Sequence, residues 1–584
     1  MLKRNSKLLQ KKLYHYLIPS TLMILAMQFG SLADGILTGN MISIEALTAS
    51  SLVMPILYII QMPGFAIGVG GSIVVGSYLG KRETEKASKA FSACLFWGVA
   101  VSVVLAALAP FISGPLASLY APPELSELGR QYILVYLLTD PVITIALIIS
   151  SFMSTDNSPK TASAFFIVSN VVKIASEVLF IKVFDMGMYG AALSTGAGYL
   201  VGLVTVIFYI RSDRRMLKFT MNLKGSGSLF RESLKASSST AMNLFLTAVQ
   251  LSVANIIIAT IVTDQTEQAV FGVLSNFVFG FDLFVGGIHQ LIPTICAVCY
   301  GEEDYYSLRS VARILYLLTI GVTAVIMTVL LIDPSIYCKI FGADISGEGY
   351  FAIMRIYLIS FIPYELNKFS QSYYPTVGKN MPAIITVVLR EAVLIIPLSI
   401  SLLYTMGLKG YALAVVLSET GTLLLTYLFI LIYEKKKKLH KYGLYMAPAY
   451  DSYDSFDVSL ESDIRQSAEL SQELVSYSKA HGMNERDAQI VGLAGEEIAD
   501  NIISFGYNKK RTNTIDVNLK IVNDRMVLRI RDDGVVFDPT KHETVDPDNL
   551  GGLALVKRLV NKITYIRVLN LNNTVLEINI QKEN

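Results

Sequence analysis

Two regimes of hydrophobic patterning follow one another along the chain. From about residue 14 to residue 434, long apolar stretches alternate with short polar connections; beyond residue 455, apolar positions recur at helix or strand spacing. A helix needs roughly 20 apolar residues to cross the hydrocarbon core, because lipid offers backbone N–H and C=O groups no partner. Twelve such stretches begin near residues 14, 50, 91, 131, 161, 188, 236, 269, 311, 350, 381 and 409. In the second regime, residues 456–460 read as a short strand and 461–480 and 484–505 as amphipathic helices. Residues 515–521 and 526–530 alternate as strands, 552–562 form a helix, and 563–569 and 574–580 a last hairpin. The pattern predicts an all-α polytopic body of twelve transmembrane helices followed by a C-terminal α/β sandwich with an antiparallel or mixed sheet.

The apolar body repeats itself. Ser31-Leu-Ala-Asp34-Gly-Ile returns as Ser252-Val-Ala-Asn255-Ile-Ile, and Tyr78-Leu-Gly80 returns as Cys299-Tyr-Gly301, both 221 residues later. Met186-Gly-x-x-Gly190-x-Ala-Leu193 returns as Met406-Gly-x-x-Gly410-x-Ala-Leu413, at an offset of 220. Chance matches would scatter; a shared offset means duplication. Six spans per half make the repeats parallel, an arrangement that places a transport site at the interface of two bundles.

Charge sharpens the division. Residues 1–440 hold 57 charged side chains and residues 441–584 hold 39, so the net +2 of the chain is +7 on the first segment and −5 on the second. The first is too apolar for a water-soluble surface; the second is charged like an ordinary soluble domain. This excludes a disordered chain and a basic nucleic-acid binder, and four cysteines in 584 residues exclude a disulfide scaffold. Lys and Arg set orientation. With the N-terminus inside, 24 of them fall on the cytoplasmic side and four (Arg130, Lys182, Lys339, Lys409) outside. The expected location is the plasma (inner) membrane, multi-pass, with both termini cytoplasmic. The expected segments are a basic tail over 1–13, a six-helix lobe over 14–215, a basic linker over 216–235, a second lobe over 236–434, a juxtamembrane linker over 435–455 and a cytoplasmic domain over 456–584. Lys435 to Lys438 would hold that domain beside anionic lipid.

Pro19, the run from Ser31 to Gly39, the Gly-rich second span ending Gly76-Ser-Tyr-Leu-Gly80, residues 170–180, and Gly187-Met-Tyr-Gly190-Ala-Ala-Leu193 occur in the order and spacing of one family. Over about residues 12–434 the chain resembles the multidrug and toxic compound extrusion (MATE) transporters. The resemblance implies export of cationic or amphipathic compounds in exchange for H⁺ or Na⁺. An ionisable residue within the membrane costs roughly 2.5–3.5 kcal/mol on insertion scales and is a functional candidate by default. Asp34, late in span one, matches the family's coupling Asp. Span five carries Asn170, Lys173 and Glu177; the last two lie one turn apart on one face. Glu177 falls where the family often has Asp, and Lys173 where it often has Asn. A built-in ammonium beside two carboxylates favours proton coupling over Na⁺ binding. Glu365 lies close to a tenth-span acid of some members, while Asp282, Lys368, Arg390 and Glu391 also fall in or near spans. Because Asn255 replaces the repeat partner of Asp34, the first lobe is expected to carry the coupling. His289 reads as a satisfied bundle residue, Trp97 as lipid-facing or interfacial packing, and Cys296-x-x-Cys299 as no metal site.

Three motifs mark the C-terminal domain. Glu497 and Asn501 lie four apart on one helical face: a carboxylate that could activate a hydroxyl and an amide that could hold Mg²⁺. Asp532-Asp-Gly534 follows a strand; the Asp could accept from an adenine amino group, and Gly534 lets the backbone approach. Gly551-Gly552 opens a helix and could present N–H groups to phosphates. In this order they resemble the GHKL, histidine-kinase-like ATPases, and among them the anti-sigma-factor serine kinases. The resemblance implies ATP and Mg²⁺ as cofactors, Glu497 as general base and Asn501 as Mg²⁺ ligand. It also implies adenine at Asp532 and Gly534, and a phosphate lid at Gly551 and Gly552. Phe505 stands where such kinases commonly have His, and Val536 and Ala554 where Gly is frequent. The leading expectation is a cation-coupled exporter of small molecules with a regulatory nucleotide-binding domain, in contact with membrane lipid and with a cytoplasmic protein as possible partner. The alternatives are a membrane-tethered serine kinase that uses the body as sensor, and a lipid-linked precursor flippase.

Overall fold

A computed structural model describes residues 2–212, 215–222, 224–261, 264–340, 347–437, 443–448, 455–507, 513–522, 525–541 and 552–580. They fall into two compact units. One holds Tyr16–Asp304 and Val311–Ala447; the other holds Met1–His15, Tyr305–Ser310 and Pro448–Asn584.

The larger unit is helical. In chain order the helices are α1 (Lys7–Met41), α2 (Ile44–Gly80), α3 (Thr84–Tyr120), α4 (Pro123–Thr155), α5 (Pro159–Val178), α6 (Gly187–Gly202), α7 (Val204–Ile210) and α8 (Ser226–Ala236). Then come α9 (Ser238–Ile261), α10 (Gln265–Leu291), α11 (Ala297–Gly301), α12 (Tyr305–Ile332), α13 (Ser335–Ile340), α14 (Glu348–Leu358), α15 (Phe361–Thr376), α16 (Asn380–Val388) and α17 (Ile395–Lys437). α1 and α12 begin in the smaller unit. Caps start several of them: the Ser43 hydroxyl accepts from the Ala46 N–H at 3.1 Å, Pro123 occupies the first turn of α4, and Asp264 accepts from the Glu267 N–H at 2.9 Å. Among the described residues, nine helical runs are long and apolar enough to cross a membrane. The twelve expected spans do not appear as twelve separate helices. Those begun at 381 and 409 form one run broken at Gly407 (φ 61°), and the one begun at 350 is divided into α14 and α15. The Lys435–Lys438 clamp is described only to Lys437.

Backbone conformation repeats with the sequence offset. Arg82 and Glu303 both have positive φ (66° and 56°), as do Asn157 and Gly378 (59° and 69°), each pair 221 residues apart; Gly187 and Gly407 (51° and 61°) do so 220 apart. The turns are hydrogen-bonded alike: Glu83 N–H to Tyr78 O and Asp304 N–H to Cys299 O, Ser158 N–H to Met153 O and Lys379 N–H to Tyr374 O. Left-handed backbone is uncommon outside glycine, so its recurrence at matched positions reflects one ancestral turn set used twice.

The smaller unit contains β1 (Ser455–Glu461), α18 (Ile464–Ala480), α19 (Glu485–Asn501), β2 (Thr514–Val522), β3 (Arg525–Asp532), α20 (Gly552–Leu559), β4 (Lys562–Val568) and β5 (Leu571–Asn579). The sheet is antiparallel throughout, in the order β1-β2-β3-β5-β4. Asn484 caps α19 by accepting from the Asp487 N–H at 2.7 Å. The helix expected over 484–505 stops at Asn501 and passes into a π-turn over Ile502–Gly506. One apolar row, Phe456, Leu519, Leu528, Leu576 and Ile563, crosses all five strands. It packs with Leu470, Leu474, Val491 and Ile498 of α18 and α19.

Strand alternation sends Asp516, Arg529 and Arg531 to the opposite face, where all three are nonetheless buried. Residues 4–7 of the same unit supply part of that cover, while Leu2 packs on the helix side of the sheet. The Leu2 N–H donates to Glu473 Oε1 at 3.0 Å, and the Asn5 N–H to Ser459 Oγ at 3.1 Å. Arg4 Nη1 pairs with Asp516 Oδ1 at 2.7 Å, and Arg531 Nη2 lies 3.3 Å from Asp516 Oδ2. The basic tail expected as a separate segment is therefore built into the C-terminal unit.

Candidate functional site

Within the helical unit, α1, α2, α4, α5 and α6 from the first half and α9, α10, α14, α15 and α17 from the second surround a cavity of about 910 Å³. Its volume lies in the range of small-molecule sites. Asp34 and Lys173 face it from the first half. Lys173 Nζ donates to Asp34 Oδ2 at 2.6 Å, while Asp34 Oδ1 is buried without a hydrogen-bond partner. Asn170 also lines the wall, its amide donating to Phe166 O at 2.8 Å. Of the two carboxylates expected beside its ammonium, Lys173 makes its hydrogen bond to Asp34. Glu177 is fully buried, lies off the cavity wall, and has the side chains of Asp34 and Thr38 as its polar neighbours. It ends α5 where a π-turn over Leu179–Val183 begins, and such turns are frequent at functional sites.

The second half brings its own charges to the same cavity. Lys368 of α15 pairs with Asp282 of α10. Arg390 Nε donates to Glu419 Oε1 at 2.8 Å, and Arg390 Nη1 lies 3.4 Å from Glu391 Oε1. The other Glu419 oxygen accepts from Asn367 Nδ2 at 2.8 Å. Tyr364 lies beneath both cations, its ring centre 4.2 Å from Arg390 and 5.4 Å from Lys368. Glu365 is fully buried behind the wall. His289 is buried beside it, with Nδ1 3.7 Å from the Glu365 carboxylate. Glu419 was not singled out from the sequence; an acid in the twelfth apolar stretch was its signal. Trp97 is 41% exposed and stacks on Phe230. All four cysteines are buried, and no metal-binding cluster of His, Cys, Asp or Glu occurs among the described residues.

In the C-terminal unit, the three motifs converge around the end of α19. Asn501 Nδ2 donates to Glu497 O at 2.7 Å, which leaves its side-chain oxygen as the group able to face a metal. Gly552 starts α20 directly against Glu497; a Cβ there would run into the carboxylate. Gly551 lies outside the described residues. Burial, then the charges of Asp500 and Glu496, raises the Glu497 carboxyl above the usual range. Asp532 Oδ1 accepts from the Gly534 N–H at 2.7 Å and from Asn572 Nδ2 at 2.9 Å. Burial pushes its carboxyl up to about 6 against the pull of those two donors. Gly534 is needed for close approach, since a Cβ would meet Gly506 O and Asp532 Oδ1. Phe505, Val535, Val536 and Phe537 stay exposed beside this acceptor, an apolar edge open to a flat ring. The residues present therefore fit a purine nucleotide with its metal. Asp533, next to the acceptor, pairs with Lys11 Nζ at 2.6 Å and lies 3.9 Å from Lys12 Nζ, both on α1.

Residues 19–179 match the MatE family model, and residues 460–578 match a model described as a histidine kinase-like ATPase domain. The multidrug export protein MepA of Staphylococcus saprophyticus is 20% identical over 415 residues, covering 70% of this chain and 91% of that protein. The probable multidrug resistance protein YoeA of Bacillus subtilis is 20% identical over 306 residues, covering 51% of this chain and 66% of that one. An outward-facing multidrug resistance MATE family transporter superposes with a TM-score of 0.68 at 17% identity, covering 74% of this chain and 98% of its own. A MOP superfamily transporter from Pyrococcus furiosus, described by the reverse polarity of its binding pocket, gives 0.67 at 17% identity, covering 74% and 97%. The chain is a multi-pass membrane protein with a MATE fold, a MatE domain at its N-terminus and a histidine kinase-like ATPase domain at its C-terminus.

Proposed function

We propose that this chain, a MatE domain joined to a histidine kinase-like ATPase domain, is a proton-coupled exporter of small amphipathic molecules whose activity is set by a cytoplasmic nucleotide. The observation that carries the coupling is the set Asp34, Lys173 and Glu177. With both acids ionised the three side chains sum to −1, so one proton makes the set neutral. Asp34 has one oxygen held by the ammonium, and Glu177 lies buried beside the Asp34 carboxyl, so the two acids compete for one compensating charge. An uncompensated buried carboxylate is expensive, so the set favours loading when closed from water and release when opened to it. A proton needs only a lone pair, whereas Na⁺ needs a cage of oxygens, and the Lys173 ammonium beside Asp34 could occupy the place of such an ion.

Regulation is supported from the other unit. ATP would lie between Asp532 and the start of α20, with Asn501 and Glu497 toward its Mg²⁺ and phosphates; when bound it supplies a triphosphate and a divalent charge. Asp533, adjacent to the adenine acceptor, is tied to Lys11 on the helix that later carries Asp34. Nucleotide occupancy would thereby bear on α1. Both termini would face the cytoplasm of the inner membrane, as the Lys and Arg distribution predicts.

Efflux from inverted vesicles tests the reading. Asp34→Asn should abolish proton-linked efflux at unchanged expression, and the paired variant Asp34→Asn/Lys173→Met, which leaves no orphan ammonium, should behave alike. Wild-type efflux should change when Mg-ATP is added on the cytoplasmic face. Efflux that persists in both variants overturns the coupling assignment, and ATP-independent efflux overturns the regulatory one.

A further inference from the structure

Behind the acceptor Asp532 stands a second tier of polar side chains. It bears on which base the C-terminal unit takes, on the premise that this unit binds the nucleotide proposed above. The β3–β5–β4 register sets Asp532 opposite Asn572 and Asn572 opposite Arg567, one row across three strands. That row lies two alternations from the apolar row of Leu528, Leu576 and Ile563, so it continues the helix-facing side of the sheet. Asn572 is buried and its amide is fully used. Its Oδ1 accepts from Tyr565 Oη at 2.7 Å and from Arg567 Nη1 at 2.6 Å. Its Nδ2 donates to Asp532 Oδ1 at 2.9 Å and to Val535 O at 2.8 Å. Two lone pairs and two hydrogens are the whole capacity of a side-chain amide. A guanidinium only donates, so Arg567 decides which end of the amide faces it. Turned over, the amide would set its NH₂ against the guanidinium and its oxygen against the Asp532 carboxylate and Val535 O.

We infer that Asn572, locked by Arg567, is the positioning residue that makes this pocket a reader of adenine against guanine. Asp532 Oδ1 accepts from the Gly534 N–H and from Asn572, so its lone pairs are taken and a base meets the carboxylate through Oδ2. Adenine presents an amino group there, a donor, where guanine presents a carbonyl oxygen. A carboxylate accepts from the first and repels the second, whereas a protonated carboxyl donates to the second. Selectivity thus follows the charge of Asp532. Burial raises that carboxyl to about 6, and the donors Asn572 and Gly534 pull against the rise. The titratable and charged groups that face it are Asp533 beside it, Arg567 and Tyr565 of β4, Lys12 of α1, and Tyr507 beyond α19. The Gly534 donor belongs to the backbone; the Asn572 donor is the one that a side chain controls.

Mg-ATP and Mg-GTP binding to the full chain in nanodiscs, read as nucleotide-dependent hydrogen-exchange protection from about pH 5 to 8.5, tests the assignment. The wild-type chain should bind ATP about tenfold or more tighter than GTP at neutral pH. Its ATP binding should fall as pH drops through about 6, where the carboxylate is lost. Asn572→Leu keeps the volume and removes the donor. The pH of half-lost ATP binding should then move up by about one unit, and the preference over GTP should shrink about tenfold. Arg567→Met, on the edge strand, unlocks the amide and should move both readouts the same way; Arg567→Lys keeps a charged donor and should restore them. A row that only packs the sheet would weaken ATP and GTP alike and leave the midpoint in place. That result in Asn572→Leu overturns the proposal, and so does equal binding of ATP and GTP by the wild-type chain. If Asn572→Leu loses β5 protection without nucleotide, Arg567→Met decides by the same two readouts. A wild-type chain that gains no protection from ATP overturns the nucleotide reading and the proposal with it; ATP protection with unmoved midpoints overturns the proposal alone.

Discussion

Asp532 offers a stability test with a defined sign. Its carboxyl is 3% exposed, and burial raises it from 3.8 to about 6 despite hydrogen bonds from Asn572 and Gly534. A raised carboxyl binds its proton more tightly folded than unfolded. Below pH 3.8 both states are protonated and the penalty is absent. Between 3.8 and about 6 the unfolded chain releases its proton first, so stability falls as pH rises; above 6 the full penalty stands. Two pH units correspond to about 3 kcal/mol, a ceiling for what Asp532→Asn can recover at pH 7, since the amide must still accept from Gly534 and Asn572. The substitution should therefore stabilise the smaller unit at pH 7 and leave it unchanged near pH 3.5, while weakening ATP about tenfold through loss of a charged acceptor. Hydrogen exchange of the β3 amides in the full chain, corrected for intrinsic rate and followed from about pH 3.5 to 8, reads the first effect. Nucleotide-dependent protection reads the second. A gain independent of pH, or a net loss at pH 7, would refute the burial argument; unchanged ATP binding would refute the role at adenine.

Two further outcomes test local packing. Gly30→Ala should depress efflux, because its Cβ would collide with the Asn170 amide and force that side chain off Phe166 O; overpacking of this kind costs roughly 1–3 kcal/mol. Gly35→Ala, whose nearest neighbour would be Leu47 at 3.9 Å, should leave efflux unchanged, and equal behaviour of the two variants rejects the contact. Arg4→Ala should destabilise β2 by up to about 3 kcal/mol in hydrogen exchange, since it removes one of the two guanidinium groups on the buried Asp516. β2 protection equal to wild type would mean that residues 2–7 add nothing to the C-terminal unit.

What the amino-acid pattern revealed and what it hid divide along a physical line. Strand and helix positions in the C-terminal unit were legible because period-2 alternation is local: β2 and β3 extend the expected strands by one or two residues at each end. The duplication was legible because equal offsets need no coordinates, and the left-handed residues at 82 and 303, 157 and 378 obey the same offset. Partner choice was half legible. An ammonium beside two carboxylates was readable from Asp34, Lys173 and Glu177, but that its hydrogen bond goes to Asp34 on α1, 139 residues away, follows from how two helices are rotated against each other. The charges of α10, α15 and α17 were visible singly and weightless until one cavity wall gathered them. The docking of the N-terminal tail was half visible. Asp516 and Asn518 fall out of phase with Ile515, Val517 and Leu519, and the β2–β3 register sets Asp516 opposite Arg531 and Asn518 opposite Arg529. A polar second face followed from that alone. That it would be buried, and covered in part by Arg4 more than 500 residues earlier, required the fold. The same Lys and Arg residues from which orientation is inferred are thus also ion-pair partners within the C-terminal unit. Removing the tail to test orientation would also remove Arg4 from Asp516 and Lys11 from Asp533. The two roles separate only through single substitutions: Lys3, for which no ion pair with an acidic side chain occurs among the described residues, against Arg4 and Lys11.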